Sequence, residues 1–99
     1  MVKKRETKFE ANVPFFVFRE GDAFVAYSPA LDLSSCGGTE KEARRMFAEA
    51  AKIFLDEIIR MGTVDDVLTE FGWKRITQTQ SWSPPTYKQD FVKIAEGAF

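Results

Sequence analysis

The spacing of apolar positions along this chain changes twice, and each change predicts a new kind of element. Between Phe9 and Phe18, the residues Phe9, Ala11, Val13, Phe15 and Val17 take every second position, the period of a strand with one buried face. Phe16 and Phe18 are apolar on the opposite side. Glu20-Gly21-Asp22 supplies the turn of a hairpin. The returning strand is predicted over Phe24–Ser28, with Ala23, Val25 and Tyr27 pointing one way and Phe24 and Ala26 the other. Pro29 ends it, because proline has no N–H to give to a ladder. After Ala30-Leu31-Asp32, a short third strand is predicted over Leu33–Cys36.

From Thr39 onward the period lengthens. Thr39 and Glu42 fit a capping box, in which the hydroxyl accepts from the third helical amide and Glu42 reaches back to the amide of Thr39. The helix is predicted from Glu40 to about Met61. Ala43, Phe47, Ala50, Phe54 and Ile58 recur at helical spacing, and Met46, Ile53 and Leu55 widen the apolar band. Gly62 is the expected left-handed stop. A second helix is predicted over Val64–Phe71, capped by Thr63 and stopped by Gly72, with Asp65 and Asp66 at the positive end of its dipole. Trp73–Thr79 reads as a strand and Ser81–Pro85 as a linker. Tyr87, Phe91, Ile94 and Ala98 return to helical spacing and predict a short terminal helix.

This order predicts an α+β fold: a small sheet of three antiparallel strands plus a later fourth strand, covered by one long helix. The later strand is expected to run parallel to its neighbour through a right-handed crossover. Residues 1–80 form the expected domain, with 1–8 a loose basic arm. Residues 81–99 are the expected linker and C-terminal helix, packing on the same or a neighbouring subunit.

Composition adds a constraint. A chain of 99 residues holds one modest core, yet ten of its residues are Phe. Phe16, Phe18 and Phe24 are expected on the sheet face turned away from the long helix. Three adjacent aromatics there need a cover. The expected cover is the terminal helix with Tyr87, Phe91 and Ile94, from the same chain or from a second copy, and hence a homodimer or higher oligomer.

Charge narrows the partners. A formal net charge of -1 argues against a surface that grips nucleic acid all over. Residues 40–70 carry eight acidic and five basic side chains, which makes this the segment where a basic partner is expected to dock. Its candidate contacts are Glu49, Asp56, Glu57, Asp65, Asp66 and Glu70. Lys3, Lys4, Arg5 and Lys8 support an alternative, an oligomeric nucleic-acid-binding regulator that uses its N-terminal arm on backbone phosphate. No apolar stretch of signal-peptide or membrane-spanning length is read in the chain, so a cytoplasmic location is expected.

Catalytic chemistry finds little to work with. Histidine is absent and Cys36 is the one cysteine, leaving no zinc set and no intramolecular disulfide. "CGGT" lacks the lysine and second glycine of a P-loop and the third glycine of a dinucleotide fingerprint. Asp22, Asp32, Asp65 and Asp66 sit on a predicted turn, loop and helix start, the usual places for Asp to turn or cap. Neither an enzyme nor a bound cofactor or metal is expected.

Four stretches in order, "FVAYSPALD", "SSCGGTEKEA", "FAEAAKIFLDEI" and "GTVDDVLTEFGW", resemble the HicB family of bacterial antitoxins over about residues 9–75. The carrying residues are Tyr27-Ser28-Pro29 at a strand end, Gly37-Gly38-Thr39 before a helix, Glu42-Ala43 at its start and Glu49-Ala50 further along. The resemblance implies a partly degraded ribonuclease-H-like domain without its catalytic carboxylates. It also implies a function, binding and neutralising a small basic messenger-RNA-cleaving toxin of the HicA type. Many members continue into a ribbon-helix-helix or helix-turn-helix segment that binds operator DNA. Nineteen residues follow Gln80 here, too few for such a module, so an orphan or repurposed member is the other reading of the resemblance.

Overall fold

The computed structural model describes residues 9–76 and 81–97. Eight elements follow one another: β1 (Glu10–Ala11), β2 (Phe16–Glu20), β3 (Ala23–Ser28), β4 (Leu33–Gly37), α1 (Glu40–Met61), α2 (Val64–Glu70), β5 (Lys74–Arg75) and β6 (Ser81–Ser83). They make a small α+β protein with two three-stranded sheets and one long helix. No helix among the described residues is long and apolar enough to cross a membrane.

The predicted first strand is interrupted. Pro14 cannot donate to a ladder, and residues 12–15 leave strand geometry between β1 and β2. The alternation survives in burial, since Phe9, Ala11, Val13, Phe15 and Val17 all pack against the core. Gly21, at φ +62°, forms the two-residue turn with Asp22 and sets Glu20 opposite Ala23. That register puts Phe24 opposite Arg19 and Phe18 opposite Val25.

The register corrects one expectation. Cross-strand partners share a face, so Val17, Phe24, Ala26, Leu33 and Gly37 lie on the side covered by α1. Phe16, Phe18, Val25, Tyr27 and Cys36 lie on the open side. Phe24 therefore packs against the core under α1 and does not belong with Phe16 and Phe18.

Helix α1 begins and ends where its local signals place it. Thr39 caps the start, and Gly62, at φ 72°, closes the end with bonds to Ile58 O and Ile59 O. Its buried line is Ala43, Phe47, Ala51 and Ile58. Ala50 and Phe54 flank that line, while Ile53 points to solvent. Phe47 stacks on Phe15 with ring centroids 4.6 Å apart. Burying a side chain of this kind stabilises the fold by about 1.5–3 kcal/mol.

Helix α2 is one residue shorter than predicted, with Phe71 as its C-cap. Thr63 does not cap it by its side chain; its hydroxyl donates instead to Ile58 O at 3.4 Å. The later strand also differs from expectation. β5 does not join the β2–β3–β4 sheet. It pairs antiparallel with β6, which runs parallel to β1 in a second sheet ordered β1–β6–β5. The parallel return therefore falls to Ser81–Ser83, read from sequence as linker. The rest of the predicted strand, 77–80, lies outside the described residues.

Two tryptophans join this second sheet to the body. Trp82 and Trp73 are both buried, and the indole N–H of Trp73 donates to Ala30 O at 2.8 Å. Beyond β6 the chain has no helix. Residues 84–97 run without regular structure, against the predicted terminal helix. An isolated helix of that length is marginal without a face to pack on, and Pro84-Pro85 precedes it as a stiff spacer. Asp90 Oδ1 also accepts from the Phe91 amide at 2.8 Å, a local bond that competes with the helical one.

Candidate functional site

The corner between β4 and α1 gathers Gly37, Gly38, Thr39, Glu42 and Ala43, half of the residues that carry the sequence resemblance. The Glu42 amide donates to Thr39 Oγ1 at 3.0 Å, and the Gly38 amide donates to Glu42 Oε1 at 2.7 Å. The reciprocal arm of the capping box thus reaches Gly38, one residue before the predicted Thr39. Neither Gly37 nor Gly38 is left-handed. Gly37 is needed for space: a Cβ there would sit 2.7 Å from Ala43 N and 2.9 Å from the Glu42 carbonyl carbon. The strand end rests directly on the first turn of the helix.

This geometry bears on anion binding. Helix N-termini attract phosphate through free amides and the dipole. Here the Gly38 and Glu42 amides already have internal acceptors, and Glu40 and Glu42 place negative charge in the first turn. The corner is built to hold strand against helix.

Pro29 opens a second structural knot. Ala30 and Leu31 are buried, Ser28 Oγ accepts from the Ala30 amide at 3.1 Å, and Trp73 holds the Ala30 carbonyl. Asp32, at φ 50°, is a left-handed non-glycine residue and accepts from the Tyr27 hydroxyl at 3.2 Å. The Tyr27 phenol is pushed above its ordinary value, first by burial and then by its bond to the Asp32 carboxylate. Ala30 and Leu31, predicted only as the connection before the third strand, belong to the core. Two apolar residues inside a turn were the signal.

The six candidate acids lie on exposed surface of α1 and α2, but most of them are already neutralised. Glu49 pairs with Arg45 at 2.9 Å and Asp56 with Lys52 at 2.8 Å. Glu57 pairs with Arg60, and Asp65 lies 3.7 Å from Arg75. Asp66 and Glu70, one turn apart on α2, make no ion pair among the described residues. The acidic segment is therefore a mixed-charge helix surface with a small acidic end. Lys3, Lys4, Arg5 and Lys8 lie outside the described residues. Within those residues, no group of three or more His, Cys, Asp or Glu side chains is placed to hold a metal ion.

Two apolar features remain. One is a cleft of about 500 Å³ between the N-terminal segment and α1, lined by Phe9, Val13, Phe15, Ala48, Leu55 and Ile59, with Lys52 and Asp56 beside it. Its signal was present in the spacing of Ala48, Leu55 and Ile59, a second helical stripe beside the core line. The other is the open face of the sheet. Phe16 is 52% exposed and Phe18 46%. Tyr87 sets its ring edge-on to Phe16 at 6.4 Å between centroids, so the tail begins on this face. Phe91 and Ile94 do not reach it and stand in solvent. Against known protein families, curated proteins and solved structures, the chain gives no match in any of the three comparisons.

Proposed function

We propose that this chain is a non-catalytic protein-binding domain of the HicB antitoxin type, or an orphan member of that family. Its partner in this reading is a small basic RNA-cleaving toxin of the HicA type, which it holds and neutralises. The observation that carries the reading is the apolar cleft along α1. It is open along one side and bordered by Lys52 and Asp56, a shape suited to a ridge or helix of another protein. The β2–β3–β4–α1 succession supports the family part of the reading, because Pro29 follows the end of β3 and Gly37, Thr39, Glu42 and Ala43 lie at the β4–α1 corner, where the resemblance has them.

The test is co-expression of the full chain with the product of the gene adjacent to its own, followed by affinity purification and native mass spectrometry. A stoichiometric complex is expected. Ala48→Asp and Ile59→Asp place a charge in the cleft at exposed positions; each is expected to weaken the complex at least tenfold with an unchanged thermal midpoint. An adjacent product that does not bind, or binds both variants as tightly as the unaltered chain, overturns the toxin-binding reading.

A further inference from the structure

Beyond Tyr87 the C-terminal tail leaves its own body. It carries Phe91, Val92 and Ile94, which are 83%, 80% and 70% exposed. Those values are high for large apolar side chains in water. The molecule measures 79 × 30 × 19 Å along its principal axes. Eleven residues of extended chain, Tyr87 to Gly97, span up to roughly 36 Å, enough to account for much of that elongation. Pro84 and Pro85 stiffen the segment from which the tail departs.

The same molecule presents the complementary surface. The open side of the β2–β3–β4 sheet displays Phe16, Phe18, Val25 and Tyr27, and neither helix covers it. Strand β2 is also an edge of its sheet among the described residues, the kind of edge to which an added strand can pair. The tail enters this face through the contact between Tyr87 and Phe16. It leaves before Phe18 is covered.

We propose that this face is closed by a second copy of the chain, and that the two copies exchange tails. Each tail, beyond its own Tyr87–Phe16 contact, crosses to the open sheet face of its partner and seats Phe91, Val92 and Ile94 there. A two-fold arrangement makes the contact self-complementary, since each copy gives one tail and receives one. Two tails on two faces remove on the order of 1,200–1,600 Å² from water, the size of an ordinary specific interface. A dimer formed in this way leaves the cleft along α1 free, because the cleft and the open face lie on opposite sides of the sheet.

The inference goes beyond the antitoxin reading and is tested on the chain alone, so the two can fail separately. Sedimentation equilibrium of the full chain is expected to give twice the monomer mass. The Phe91→Asp/Val92→Asp/Ile94→Asp variant is expected to give a monomer with an intact far-ultraviolet circular dichroism spectrum, because these side chains support nothing in the body. Cross-linking separates exchanged tails from faces merely stacked together. Cys36 is exposed on the open face. One preparation keeps Cys36; a second carries Cys36→Ser with Gln89→Cys on the tail. Mixed and mildly oxidised, they are expected to yield a covalent heterodimer that the triple tail variant does not form. A monomeric mass at every concentration, or a dimer that persists in the triple variant, overturns the proposal. So does a mixture that yields no heterodimer.

Discussion

At Gly37 a single hydrogen atom decides how closely a strand can lie on a helix. An added Cβ would stand 2.7 Å from Ala43 N and 2.9 Å from the Glu42 carbonyl carbon, both main chain. Gly37→Ala is therefore expected to lower stability by about 2 kcal/mol through overpacking, read by urea denaturation. Gly38→Ala is the matched control. Its Cβ would meet only Glu42 Oε1 at 3.7 Å, and its effect should stay within about 0.5 kcal/mol. The two glycines look alike in the sequence; only the packing of α1 separates them. Tyr27 gives a second residue-level expectation. Its phenol is held above the ordinary tyrosine value, so the neutral form is favoured in the folded state. The bond to Asp32 is therefore fully present below about pH 10 and is lost as pH rises beyond it. Tyr27→Phe should be the less stable protein at pH 8. Its gap to the unaltered chain should narrow by pH 11 in thermal melts, and a gap independent of pH would remove Tyr27 from the account.

Among the elements, α1 was legible because three local signals coincide. Thr39 and Glu42 start it, an apolar stripe fills it and Gly62 stops it, and none of these needs distant contacts to act. Gly62, at φ 72°, has no atom within 4 Å of an added Cβ, so its constraint is backbone conformation alone. Gly62→Ala should cost about 1 kcal/mol in chemical denaturation, and a neutral result would mean the helix end can rearrange. The surface of the same helix makes the opposite expectation. Its ion pairs are exposed and local, and each contributes only about 0.3–0.5 kcal/mol. Arg45→Gln and Lys52→Gln should barely move stability while releasing Glu49 and Asp56 to a basic partner. The terminal helix was misread because apolar spacing records which side chains could share a face and says nothing of whether a surface waits for it. Pro14 was the opposite case. Its effect on the ladder is purely local, and the alternation of Phe9 to Val17 concealed it while still marking the buried side correctly.

For the whole molecule, the distribution of apolar surface is the feature that a single copy leaves unbalanced. Its radius of gyration is 17.9 Å, against about 13 Å for a compact domain of 100 residues. The sequence held both halves of this imbalance, the Phe surplus and the apolar terminal segment. It could not assign sides to Phe16, Phe18 and Phe24, because side follows from hairpin register, a property of the paired strands. If a second copy covers the tail, protection of the tail must depend on protein concentration. Lys88 and Lys93 place two trypsin sites in it, and both are exposed in the single copy. Limited digestion followed by mass spectrometry of the C-terminal peptides should show rapid cleavage at both sites well below the dimer dissociation constant. Cleavage should slow at least tenfold well above it, since a protease acts on the uncovered fraction. Cleavage at an internal site such as Lys52, held within α1, should follow the stability of the body and change far less. Equal cleavage of the tail at both concentrations would leave Phe91, Val92 and Ile94 uncovered in solution and exclude a second copy as their cover.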